Sequence, residues 1–99
     1  VIRIALDAMG GDHAPSAEVD GAALALTELP PTFLIQFVGR PADIEKALAA
    51  HRDIPRSRIE VVDAPEVVGM GEKPLQALRS KPKSSIAIGL TLQKNGKSD

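Results

Sequence analysis

The 99 residues carry a net charge of -1, no cysteine, and only two aromatic residues, Phe33 and Phe37. That composition excludes disulfides, thiolate metal sites and a cysteine nucleophile. It also argues against nucleic acid as a partner, because neither a basic field nor a set of stacking platforms is present.

No apolar run approaches the roughly 20 residues of a membrane-spanning helix. The chain begins directly on a strand-like segment, without the basic and apolar regions of a signal peptide. Val1 in place of methionine fits a processed or trimmed start. These features fit a cytoplasmic protein. An apolar share of 43% is enough for a buried core.

Val1–Leu6 is short, β-branched and largely apolar, and predicts a buried strand. Asp7 to Ala14 follows as a loop with adjacent glycines. Pro15 suits the first turn of a helix, where no amide donor is needed. Val19, Ala22, Ala23 and Leu26 then mark one helical face, and Pro30-Pro31 ends it.

The scheme repeats. Phe33–Val38 predicts a second strand, Gly39 a turn, and Pro41 a helix with Ile44, Ala47, Leu48 and His51 on its inner side. His51 fits a partly buried residue favoured by the helix dipole. Arg58–Val62 predicts a third strand. This β-α-β-α-β rhythm implies parallel strands, right-handed crossovers and helices over the sheet.

The remainder is less regular. Ala64 to Lys73 reads as a loop containing Gly69 and Gly71. Pro74 to Ser80 reads as a short helix with Leu75 and Leu78 on one side. From Ser84 to Asn95 two readings stay open: Ile86, Ile88, Leu90 and Leu92 alternate as in a strand, yet the serines could cap a helix. Asn95-Gly96-Lys97 is a helix stop. Ser98-Asp99 then falls where another strand is due, so a longer parent sequence is expected, since an open sheet would leave a bare edge.

Two stretches could carry chemistry. Asp7-Ala8-Met9-Gly10-Gly11-Asp12-His13-Ala14-Pro15 joins the first strand to the first helix, at the rim where open α/β sheets bind ligands. Paired glycines admit close approach of an anion to backbone amides, and the helix start favours negative charge. The carboxylates of Asp7 and Asp12 oppose an anion unless a cation, a proton or a hydrogen-bond donor intervenes. A tight β-α turn with Asp12 capping the helix is the competing reading. Neither G-x-G-x-x-G nor G-x-x-x-x-G-K-[ST] occurs, so no nucleotide cofactor is expected.

His13 fits a general base, a helix cap or a solvent-facing residue. Asp7, Asp12 and His13 lack a fourth ligand, so no metal site is assigned. The second stretch holds Lys73, Arg79, Lys81 and Lys83 with Ser84 and Ser85. These groups suit phosphate, by fork or by point charge, although a solvated basic loop has the same composition.

In this order the two stretches resemble the PlsX family of phosphate acyltransferases. Residues 7 to 15 reproduce its D-A-M-G-G-D-x-A-P opening. Ala64-Pro65-Glu66-Val67-Val68-Gly69-Met70, then Lys73-Pro74, Ala77, Arg79 and Lys81, follow its second motif. Ser84-Ser85 starts the helix that comes next in the family, and Gly96-Lys97-Ser98-Asp99 stands where the family has G-K-A-D. The likeness runs from end to end.

The resemblance implies a Rossmann-like three-layer α/β/α sandwich on a parallel sheet, incomplete in this chain as the amino-terminal part of one larger domain. It makes Ser84 to Asn95 helical, weakened by Gly89 at about 1 kcal/mol. The chain departs from the family at Lys81-Pro82-Lys83, a run normally free of proline, so the preceding helix should end by Lys81, and at Gly71, which replaces an acidic residue and should loosen the loop. It further implies acyl transfer from acyl carrier protein thioester to inorganic phosphate without a cofactor. Gly10, Gly11, Asp7, Lys73, Arg79, Lys81, Ser84 and Ser85 would then hold phosphate or substrate, and Asp12 or His13 would be catalytic. A homodimer and peripheral membrane association, both through regions absent here, belong to the same implication, as does inactivity of the 99 residues alone. Rival readings are a nucleotide-dependent enzyme, a receiver-like domain phosphorylated on Asp7, and a noncatalytic α/β binding or dimerisation domain.

Overall fold

In the computed structural model, residues 1–68 and 71–99 are described. Gly69 and Met70, part of the second motif and its loop, lie outside the described residues.

Three strands form one parallel sheet in the order β1-β2-β3. They are β1 (Ile2–Asp7), β2 (Phe33–Gly39) and β3 (Ile59–Asp63). Ile4 pairs with Ile35, and Ile35 with Ile59. Helices α1 (Ser16–Glu28) and α2 (Pro41–Leu48) make the two crossovers. After β3 come α3 (Pro74–Ser80) and α4 (Ser85–Lys94).

The core follows from the two periodicities. On one face of β2, Phe33, Ile35 and Phe37 meet Val19, Ala22, Ala23 and Leu26 of α1 and Ile44 and Leu48 of α2. The four α1 positions chosen from spacing are the four that are buried. Alternation sends Gln36 to the opposite face. There its amide donates to the Lys97 carbonyl at 2.9 Å and to Glu60 at 3.2 Å, while its carbonyl accepts from the Ser98 hydroxyl. The turn after α4 is thereby fixed to the middle strand, with α4 against β1 and β2. Helices cover both faces, as a three-layer arrangement requires.

Several boundaries differ from the sequence reading. Pro15 is the N-cap of α1, and no side chain caps that end. Asp12 therefore does not cap α1, contrary to the competing tight-turn reading. His51 lies beyond α2 and bonds Asp20 of α1 at 2.6 Å. Arg58 belongs to a 3-10 turn (Arg56–Arg58) ahead of β3. Its guanidinium donates to the carbonyls of Phe33 and Leu26, both at 3.1 Å, which ties the end of α1 to the start of β2.

On α3 it is Ala77 that is buried, whereas Leu75 is 76% exposed. The short helix expected at 74–80 is present with those bounds. The ambiguous 84–95 segment is helical. Ser84 caps it, accepting from the Ala87 amide at 3.3 Å, and Gly96, at φ 73°, ends it in the left-handed region.

Candidate functional site

Parallel strands place all their carboxyl ends on one rim, so the loops leaving β1 and β3 start at the same end of the sheet. One strand lies between them, a separation of about 10 Å.

The glycine loop is anchored before it is exposed. The Ala8 amide donates to the Val38 carbonyl at 3.0 Å, extending the ladder, and Ala8 is fully buried. Met9 packs on Gly39, where a Cβ would come within 2.7 Å of its side chain. The Asp7 carboxylate folds back into the turn and accepts from the Met9 amide at 3.0 Å. A Cβ on Gly10 would lie 3.0 Å from Asp7 Oδ2. Asp7 is thus a turn-former, and Gly10 leaves room for its carboxylate. Asp12 and His13 are exposed, and among the described residues neither side chain has a hydrogen-bond partner.

The cationic stretch is organised around Glu66. Its amide donates to the Lys83 carbonyl at 3.2 Å, its carbonyl accepts from the Ser85 amide at 3.1 Å, and its carboxylate accepts from the Lys83 amide at 3.1 Å. Lys81 donates to the Val67 carbonyl at 3.0 Å and to Glu72 at 2.5 Å. Lys81 is therefore a staple for this loop, and its charge is already shared. Lys73 and Arg79 are exposed and, among the described residues, form no ion pair. Six helical positions separate them, about 9 Å along α3 and about 120° around it.

Ser84 and Ser85 are almost fully buried. Ser85 and Asp7 line one groove of about 370 Å³ with Ile4, Ile86 and Leu90. The structure thus brings Asp7 beside the start of α4, whereas Gly10, Gly11, Lys73 and Arg79 are not among that groove's walls. Among the described residues no cluster of three His, Asp or Glu could hold a metal ion, and no helix is long and apolar enough to cross a membrane.

Sequence reasoning missed Glu18. Burial pushes its carboxyl above the ordinary glutamate range. Its own backbone amide opposes that shift, the Asp7 charge adds to it, and His13 opposes it. A glutamate three residues after a helix-opening proline was the available signal. Glu66 was missed as well, since its importance comes from contacts across the chain.

A family described as "Fatty acid synthesis protein" matches residues 2–99. The phosphate acyltransferase of Salinibacter ruber is 43% identical over 97 residues, covering 98% of this chain and 29% of that protein. The phosphate acyltransferase of Thermosynechococcus vestitus is 46% identical, covering 98% and 27%. That of Heliobacterium modesticaldum is 48% identical, covering 97% and 28%. The chain spans less than a third of the length of these relatives. With its match running from the second residue to the last, the chain belongs to the fatty acid synthesis protein family, as its likeness to PlsX implied.

Proposed function

We propose that the protein serves in phospholipid synthesis as an acyltransferase, moving a fatty acyl group from acyl carrier protein thioester to inorganic phosphate. A phosphate oxygen attacks the thioester carbonyl, the carbon–sulfur bond breaks, and acyl phosphate and the carrier thiol result. Such a step needs the phosphate held and partly desolvated and the developing oxyanion stabilised. The observation that carries the reading is the glycine loop and a cationic stretch leaving the same rim of a parallel sheet, in a family whose named relatives are phosphate acyltransferases.

In this reading the Gly10 and Gly11 amides meet the phosphate, with Lys73 and Arg79 adding charge and Ser84 and Ser85 closing the side towards β1. Lys81 orders the loop that carries Lys73. Asp12 or His13, exposed at the loop tip, orients a proton. The acyl carrier protein, a second copy of the chain and the inner face of a cytoplasmic membrane are the partners that go with this activity.

Acyl phosphate trapped as its hydroxamate tests the proposal. The full-length protein should form hydroxamate in proportion to added phosphate. The 99 residues alone should form none, because they correspond to under a third of the relatives' length. A full-length protein that yields no hydroxamate from acyl carrier protein thioester would refute the reading.

A further inference from the structure

Glu18 is a titratable group that the scheme above leaves unused. It is the third residue of α1, where a glutamate ordinarily reaches back to the amide of the N-cap residue. The N-cap here is Pro15, which has no amide hydrogen. Denied that bond, the side chain turns to the glycine loop. Its Oε1 lies 2.6 Å from the point a Cβ on Gly11 would occupy. Its Oε2 is shut off from solvent and, among the described residues, has no hydrogen-bond partner. Glu18's own backbone amide, in the first turn of α1, partly offsets the effect of burial on the carboxyl. Asp7, from the end of β1, and His13, from the loop, are the titratable groups acting on it.

A carboxyl group seated at a helix start against a glycine occupies the kind of position an external oxyanion takes. We propose that Glu18 is the internal ligand of the glycine loop and sets the loop's affinity for phosphate, which binds the Gly10–Gly11 amides only when the Glu18 carboxyl is neutral or displaced. The inference deepens the phosphate reading above and rests on it. It also answers the objection the sequence raised, that carboxylates beside a glycine pair repel an anion. Asp7 is drawn into the Met9 turn, and Glu18 gives up its charge more readily than an exposed glutamate because burial penalises the ionised form. Phosphate affinity should therefore fall as pH rises through the Glu18 titration.

Amide and carboxyl NMR on the labelled chain tests this, with inorganic phosphate as the probe. Without phosphate, the Gly11 amide should titrate together with the Glu18 carboxyl carbon, and that titration should vanish in Glu18→Gln. At neutral pH, Glu18→Gln should bind phosphate about threefold to tenfold more tightly, as removal of one nearby charge requires. A Gly11 titration that persists in Glu18→Gln would assign the loop to Asp7 or His13 and overturn the proposal, as would an unchanged phosphate affinity. If Glu18→Gln fails to fold, the wild-type coincidence of the two titrations decides alone. If phosphate shifts neither glycine in either protein, the phosphate reading fails, while the pH titration still decides whether Glu18 is the loop's internal ligand.

Discussion

Phe37→Ala should cost about 3–5 kcal/mol of stability, the usual range for truncating a buried phenylalanine. Phe37 is fully buried on the middle strand, in the one cluster that unites α1, α2 and β2. The chain has only one other aromatic side chain, Phe33, four positions away on the same strand. A folded domain holds roughly 5–15 kcal/mol in all, so the loss removes a large part of the total. Thermal unfolding followed by circular dichroism should show a midpoint lowered by more than about 12 °C. A fall of only a few degrees would mean that the centre of the core lies elsewhere.

On the proposed function, Lys73→Ala should raise the KM of the full-length protein for inorganic phosphate about tenfold, the loss of one charge-assisted contact. The KM for acyl carrier protein thioester should stay near its wild-type value. Lys73 is the N-cap of α3, exposed and, among the described residues, without an ion pair, so its truncation removes charge and little structure. Lys81 makes the useful contrast. It is bonded to Val67 and Glu72, and replacing it would disturb the loop itself, which confounds any effect on phosphate. An unchanged phosphate KM in Lys73→Ala would remove this residue from the site.

The sheet and its crossovers were legible because each element carries its own period. Val19, Ala22, Ala23 and Leu26 could be picked from spacing alone. The 84–95 segment could not, since its apolar residues alternate like a strand while the Ser84 cap and Gly96 stop are those of a helix. What decides it is tertiary: Gln36, a polar residue inside a strand, holds the turn after the helix through Lys97 and Ser98. On α3 the spacing of Leu75 and Leu78 did not tell which side is buried, because a helix of seven residues is too short for two leucines to establish a face.

The site was legible in part. Gly10, Gly11 and Asp7 stood out because two glycines beside a carboxylate form a local signature. Asp7 nevertheless proves to be spent on the turn, and Asp12 caps nothing. Glu18 and Glu66 act through contacts with the loops facing them, and the sequence marks such contacts weakly. The convergence of Asp7 with Ser85 likewise comes from α4 lying along β1, an arrangement that no local pattern encodes.

The account stands or falls on whether one phosphate is served by both loops. Titrating the isotope-labelled full-length protein with inorganic phosphate reads this directly from the amides of Gly10, Gly11 and Lys73. The account predicts that all three shift along a single saturable curve with one dissociation constant. Separate curves, or a Lys73 signal that stays still while the glycines move, would contradict it.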